Sequence, residues 1–462
     1  MPLILGTNSI KDTGYDVDNS VRLNRGDSAN FTRTPSSASN RRTWTWSGWV
    51  KRSGLGNIQT LFDGSDGGYP EIFYFDADDK FLYHHDISGS DYKLISSQVF
   101  RDVSAWYHIV VAKDTTQSTE TNRLKVYVNG SQITMNESAL GYPTQNFEGA
   151  ININDLHIIG NWKTNSYYVD GYLCEVAFVD GTQLDATSFG EFDSDSGIWK
   201  PKDFKDDVTF GTNGFYLDFA DSADLGDDES GNGNDWTENN ITATDQSTDT
   251  CTNNFATWNG VKPLTRGALS EGNLVFTGVS GNETTYSSIG ASSGKWYFEV
   301  KGTTNGDRMS VGCAQKFVQG DQHQQTTNTN GIGYDGVTGS LYVNNSDVAT
   351  YSTYSNTDII GVALDLDNRK IYFSVNGTWQ NSADPSAGSN GYSLPSNLTD
   401  EDFWFFAVSD TYGSGATAWS ANFGSPQFSI SSGNSDPNGY GNFEYGTENF
   451  YALNSKNLAE FG

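Results

Sequence analysis

Two stretches of the sequence alternate apolar and polar residues and then end in the dipeptide Asn-Gly. Leu124-Lys-Val-Tyr-Val128 precedes Asn129-Gly130, and Ile371-Tyr-Phe-Ser-Val375 precedes Asn376-Gly377. Period-2 alternation places every second side chain on one face of a β-strand, and Asn-Gly favours the turn of a β-hairpin. Each stretch follows an apolar strand and a polar turn, which predicts a β-meander. The copies are about 250 residues apart, which predicts two separate β-sandwich domains rather than a short-period repeat.

The composition restricts the fold class further. Of 462 residues, 50 are glycine, aromatic residues make up 14% and charged residues 18%. This aromatic content is too high for a disordered chain, and the Ala, Leu, Glu and Lys runs of a helical bundle are missing. A net charge of −30 is repelled by phosphates, which excludes general nucleic-acid binding. No apolar stretch reaches 18 residues, so we expect no membrane insertion. We predict an all-β protein of two antiparallel β-sandwiches.

Strand patterns and polar stretches divide the chain into five parts. We expect an N-terminal arm (1–14), a first sandwich (15–195), an irregular acidic bridge (196–266), a second sandwich (267–428) and a short C-terminal tail (429–462). The bridge is expected to pack against a sandwich rather than to form a third core. The aromatic residues of the tail predict that it docks on the protein.

Both sandwiches resemble known families, and the resemblance implies a jelly-roll topology for each. The first resembles laminin G and concanavalin A-like jelly rolls through Trp106-Tyr-His-Ile-Val-Val111, Leu124-Lys-Val-Tyr-Val-Asn-Gly130 and Gly171-Tyr-Leu-Cys-Glu-Val-Ala-Phe178. The second resembles SPRY (B30.2-type) domains through Gly294-Lys-Trp-Tyr-Phe-Glu-Val300 and Ile371-Tyr-Phe-Ser-Val-Asn-Gly377. The order of these domains, followed by a short tail ending in Tyr451–Leu458, is similar to that of structural proteins of tailed bacteriophages, especially marine ones.

The phage resemblance implies a non-enzymatic virion protein, such as a tail fibre or a receptor-binding protein. Its partners would be other virion proteins and a host-surface glycan or protein, and we expect a homo-oligomer. A phage protein folds in the host cytoplasm and leaves by lysis, so it needs no signal peptide and no disulfides. Met1–Ile10 has no basic region of the kind that signal peptides carry. A decorating protein that binds only other virion subunits and a polysaccharide-degrading enzyme are the alternatives.

No strand carries the paired carboxylates of a retaining glucanase. Retention requires two carboxyl groups about 5–5.5 Å apart, which alternate positions of one strand would provide. Glu71 and Asp76 are five residues apart, as are Glu175 and Asp180, so each pair is expected to point to opposite faces. We therefore predict no catalytic residues and no cofactor, with a structural calcium ion as the one candidate.

Glycan-binding candidates come from loops rich in amides, carboxylates and aromatic rings, which suit sugars. One loop of the second sandwich is rich in such groups: Gln319, Gln322, His323, Gln324, Gln325, Asn328 and Asn330. A second candidate cluster consists of Tyr69, Asp91 and Tyr92. The alternative is that these residues belong to solvated loops.

Acidic residues in glycine-rich turns are candidates for calcium, which jelly rolls often hold between loops. The first candidate pair is Asp63 and Asp66, and the second group is Asp224, Asp227, Asp228 and Asn232. The alternative is that Asp and Gly simply form turns.

The first 60 residues are basic in an otherwise acidic chain. They hold eight lysine and arginine residues against four aspartates, a net charge of +4, so the remainder carries −34. This segment could dock on an acidic neighbour in the particle, with Arg22, Arg25, Arg41 and Arg42 as the candidate contacts. Charge scatter on exposed strands is the alternative.

Overall fold

A computed structural model shows two compact units. It describes residues 10–66, 69–87, 90–137, 141–279, 283–302, 309–315, 331–344, 346–395, 403–410 and 417–462. The first unit comprises residues 13–252, and the second comprises residues 10–12 and 253–462. The predicted bridge is therefore divided between the two units after Thr252. Each unit consists of antiparallel sheets, so the predicted all-β class with two sandwiches is confirmed.

The first unit contains eighteen described strands. They are β1 (Ser20–Leu23), β2 (Asn30–Arg33), β3 (Thr43–Arg52), β4 (Gln59–Asp63), β5 (Glu71–Phe75), β6 (Lys80–Ile87), β7 (Ser90–Val99), β8 (Trp106–Asp114), β9 (Leu124–Val128), β10 (Ser131–Gln132), β11 (Met135–Glu137), β12 (His157–Ile159), β13 (Gly171–Asp180), β14 (Gly190–Phe192), β15 (Trp199–Pro201), β16 (Phe215–Leu217), β17 (Thr237–Asn239) and β18 (Gln246–Ser247). Short 3-10 turns lie at Arg25–Asp27, Glu120–Asn122, Ala186–Ser188 and Ala243–Asp245.

Two large sheets face each other in this unit. The β3 sheet has the order β10-β9-β8-β3-β13-β1-β18, with β16 beside β13, and the β5 sheet has the order β11-β7-β6-β5-β4-β12-β2-β17. Alternation along β3 places Trp44 and Trp46 in the core between the sheets, where the Trp46 ring lies 5.1 Å from that of Phe73. The bridge strands β16, β17 and β18 extend both sheets.

The bridge also covers the outer face of the β3 sheet. Trp49 points away from the core and packs in a second apolar cluster with Phe189, Trp199 and Phe204. The Trp199 indole donates to Nδ1 of His108 at 3.1 Å. Because both faces of this sheet are covered, β13 is buried at every position.

The second unit contains the remaining described strands and one helix. They are β19 (Gly267–Ser270), β20 (Val275–Gly278), β21 (Glu283–Tyr286), β22 (Lys295–Gly302), β23 (Met309–Ala314), β24 (Gly331–Asp335), β25 (Ser340–Val343), β26 (Ser346–Thr350), β27 (Ile359–Asp365), β28 (Lys370–Val375), β29 (Thr378–Trp379), β30 (Tyr392–Ser393), β31 (Phe405–Asp410), β32 (Thr417–Asn422), β33 (Tyr451–Ala452) and α1 (Ser455–Phe461). A 3-10 turn lies at Gln380–Ser382.

These strands form a sheet of order β19-β20-β32-β22-β27-β28-β29 and a second sheet of order β21-β31-β23-β24-β25-β26. The C-terminal tail docks on the outer face of the first of these sheets, where Phe443 and Phe450 pack against Tyr297. The backbone N–H groups of Glu444 and Tyr445 donate to the buried Glu299 carboxylate at 2.9 and 2.7 Å. Burial raises the pKa of Glu299 to about 7, and these hydrogen bonds offset only part of that effect.

Candidate functional site

Four rings lie together on the outer side of the β5 sheet, and we call Tyr74, His84, Trp162 and Tyr167 the aromatic face. The Trp162 ring is central: its centroid lies 6.3 Å from Tyr74 in a stacked arrangement, 6.2 Å from His84 and 5.5 Å from Tyr167. Trp162 and Tyr167 are half-buried, so part of each ring faces solvent.

Strand alternation explains why this surface is apolar. Phe73 and Phe75 of β5 point into the core, so Ile72 and Tyr74 point outward. Together with Leu82 they form a separate cluster, against which Trp162 packs. The rings therefore pack on outward-facing apolar side chains of the β5 sheet.

Trp162 and Tyr167 lie on one loop, at residues 160–169, that follows β12. Gly160 begins the loop with a φ of +92°, a conformation that favours glycine. Val169 closes the loop by donating its N–H to the Gly160 carbonyl at 2.9 Å, and Thr60 donates to the Tyr167 carbonyl at 2.9 Å. These hydrogen bonds fix the loop to β4.

Asp63 also anchors this loop, through a hydrogen bond to its backbone. Its carboxylate accepts hydrogen bonds from the Lys163 N–H at 2.6 Å and the Ser65 N–H at 2.8 Å, and also from the Ser65 hydroxyl. Burial raises the pKa of Asp63, against the effect of these donors. These contacts favour the alternative stated for Asp63 and Asp66, that such residues form turns: Asp63 uses its oxygens on protein donors, and Asp66 forms a backbone bridge with Tyr69.

Charged groups border the aromatic face. Nε2 of His84 lies 2.7 Å from Oδ1 of Asp91, and the Lys93 ammonium lies 3.8 Å from the same carboxylate. Burial and Lys93 lower the pKa of His84 more than Asp91 raises it, so the imidazole is neutral at neutral pH and donates to Asp91. The Asp91 side chain is 52% exposed, which leaves it accessible to a ligand.

The other predicted glycan contacts fall elsewhere. Tyr92 follows Asp91 on β7 and so points to the opposite side of the sheet, where its ring lies 5.6 Å from Phe147. Tyr69 is 44% exposed. The amide-rich loop lies outside the described residues. Its candidate contacts are Gln319, Gln322, His323, Gln324, Gln325, Asn328 and Asn330.

The second calcium group forms turns. Asp228 accepts hydrogen bonds from the N–H groups of Tyr216 and Asn234 at 2.9 and 2.8 Å. Asn232 uses its amide to donate to two backbone carbonyls, while Asp224 and Asp227 occupy consecutive turns. In the part of the chain that the structure describes, no three His, Cys, Asp or Glu residues are placed to hold a metal ion.

The four candidate assembly arginines contact their own sandwich. Arg22 is buried and donates to the Thr244 carbonyl at 2.9 Å, so it is not available to a partner, contrary to the prediction. Arg25 donates to the Ile58 carbonyl at 2.7 Å, and Arg41 and Arg42 both face Glu148.

The protein is a two-domain β-sandwich protein, and comparison with known families shows which kind of β-sandwich each domain is. Residues 24–186 match the family model described as the concanavalin A-like lectin/glucanases superfamily, of the laminin G type. Residues 295–387 match the SPRY domain model. The chain therefore contains a concanavalin A-like domain followed by a SPRY domain, and domains of these kinds typically mediate binding to protein or glycan partners.

Parts of the chain also match solved structures at low identity. The SPRY domain of human HERC1 is 20% identical, with 32% of this chain and 87% of that chain covered and a TM-score of 0.26. A SAP-like pentraxin from Limulus polyphemus is 16% identical, with 37% and 79% covered and a TM-score of 0.28. No curated protein matches the chain. Among the described residues, no helix has the length and apolar character needed to cross a membrane.

Proposed function

We propose that the protein is a non-enzymatic structural protein of a tailed-phage virion, acting as a tail fibre or receptor-binding protein. The resemblance of its domain order to that of phage structural proteins supports this origin. Its three cysteines are free thiols, as expected for a protein that folds in the reducing host cytoplasm and is released by lysis.

The aromatic face is the surface that would recognise the host. Aromatic rings present a flat apolar surface, against which the C–H groups of a sugar ring pack, and neighbouring carboxylates accept hydrogen bonds from sugar hydroxyls. Trp162 supplies the central ring, and Asp91 and Lys93 supply polar groups beside it. Because Asp63 already fixes the loop, little conformational entropy is lost on binding. The ligand class is therefore a host-surface glycan.

Binding to cells tests this proposal. Fluorescently labelled wild-type protein should bind cells of the host bacterium, and periodate oxidation of the cell-surface glycans should abolish the signal. Trp162→Ala should bind much less, because it removes the central ring. Phe192→Ala is the matched control, since Phe192 is an aromatic residue of the same sandwich that is 53% exposed and lies outside the aromatic face.

A second experiment is peptide mapping of purified phage particles, which should detect the protein in the virion. Presence on the particle without cell binding would instead identify a decorating protein that binds only virion subunits. Release of reducing ends from host polysaccharide would overturn the non-enzymatic assignment. Absence from the particle would contradict the virion assignment.

A further inference from the structure

A cleft of about 460 Å³ opens on the first sandwich, away from the aromatic face. It lies between the end of β13, the turn that follows it and residues 202–209 of the bridge. Val179, Leu184 and Val208 form its apolar surface. This volume lies within the range of roughly 300–1,000 Å³ that small-molecule sites occupy.

Of the six polar side chains that line the cleft, Thr187 donates its hydroxyl to Asp185, and the other five have no partner in the described part of the chain. The hydroxyls of Thr182, Ser188 and Thr209 line it together with the side chains of Lys202 and Asp207. Within the described part of the chain, none of these five side chains makes a hydrogen bond or ion pair. Donors and an acceptor thus line the same cleft without satisfying one another.

Lys202 differs from the two neighbouring lysines of the bridge, because both of these have partners. Lys205 forms an ion pair with Glu229 at 2.6 Å. Lys200 lies 3.3 Å from Glu191 and donates to the Thr13 carbonyl at 2.9 Å. In a chain with 57 acidic residues, Lys202 is half-buried and unpaired although Asp207 lines the same cleft.

We propose that this cleft binds a neutral mono- or disaccharide, at a site separate from the aromatic face. A sugar hydroxyl both donates and accepts, so it can donate to Asp207 and accept from Lys202 and the Thr and Ser hydroxyls. The apolar side chains contact the C–H face of the sugar. An anion suits the cleft less well, because the carboxylate of Asp207 faces it as well as the ammonium of Lys202.

Calorimetric titration of the full chain tests the proposal. The probes are the methyl glycosides of glucose, galactose, mannose and N-acetylglucosamine, and inorganic phosphate. At least one glycoside should bind with a Kd of roughly 1 mM. Lys202→Met and Asp207→Asn should each weaken that binding at least about ten-fold, which corresponds to about 1.4 kcal/mol. The side chains of the variants are half-buried (Lys202 and Trp162) or exposed (Lys205 and Asp207). Melting curves equal to that of the wild type verify that each variant folds.

Two matched variants separate this site from other surfaces. Lys205→Met removes a neighbouring lysine outside the cleft, and Trp162→Ala removes the aromatic face, and both should leave binding of the glycoside unchanged. The proposal is overturned if no glycoside binds at up to roughly 50 mM, or if Lys202→Met and Asp207→Asn bind as the wild type does. It is also overturned if only phosphate binds. None of these results depends on whether the protein adheres to cells.

Discussion

Replacing Lys113 by Met removes the cation that faces Glu71 inside the first sandwich. Both side chains are fully buried and form an ion pair, and Glu71 also accepts from the Tyr83 hydroxyl at 2.6 Å and the Ile151 N–H at 2.7 Å. Burial raises the pKa of Glu71, but Lys113 and the other partners outweigh burial and lower it to about 2. Without Lys113 the carboxylate is buried without a counter-charge, which costs about 3–5 kcal/mol.

Differential scanning calorimetry of the full chain measures this cost. One kcal/mol lowers the melting temperature of a unit of this size by roughly 2–4 °C, so the transition of the first unit should fall by roughly 6–20 °C while that of the second unit stays in place. The double variant Glu71→Leu/Lys113→Met replaces both charges by apolar groups and should regain most of the loss. A loss below about 1 kcal/mol in Lys113→Met, or a double variant as unstable as the single one, would refute the reasoning.

Three further predictions concern the loop, the tail and calcium. Asp63→Ala should free the loop that carries Trp162, so that limited proteolysis cuts within residues 160–169; resistance equal to the wild type would contradict the role given to Asp63. Glu299 has a folded-state pKa of about 7, above its ordinary 4.5, so its contribution is fully present below about pH 4.5 and is lost as the pH rises through about 7. The stability of the second unit should therefore fall by about 3 kcal/mol between about pH 4.5 and pH 8, and Glu299→Gln should remove this slope in melting experiments; an equal slope in the variant would show that another group titrates. EDTA should shift neither melting transition by more than about 1 °C, because ligand linkage requires a shift if calcium is bound, and a larger shift would restore the calcium hypothesis.

Strand alternation predicted much of the fold. The hairpin strands β9 and β28 lie where the Asn-Gly motifs place them, and the opposite orientations of Trp46 and Trp49 follow from period 2. The seven-residue helix α1 is too short to give a clear period. Alternation also fails within β13, where the pairing register shifts between Cys174 and Ala177, because a β-bulge inserts an unpaired residue.

The candidate site was harder to predict. Asp91 was identified from the sequence, but Trp162 and Tyr167 lie in a loop without periodicity, and only the β5 sheet brings them to Tyr74. Asp63 was identified as an acidic turn residue, yet a single sequence does not distinguish a carboxylate that binds calcium from one that accepts backbone N–H groups, since both occur in Asp- and Gly-rich turns.

Glycan binding by wild-type protein and Trp162→Ala tests the central claim most directly. On an array of bacterial surface glycans, the wild type and Phe192→Ala should bind the same glycan with equal affinity. Trp162→Ala should bind it roughly five-fold more weakly, because a lost ring contact contributes on the order of 1 kcal/mol and 1.4 kcal/mol corresponds to ten-fold. Equal binding by Trp162→Ala and the wild type would contradict the assignment of the aromatic face as the recognition site.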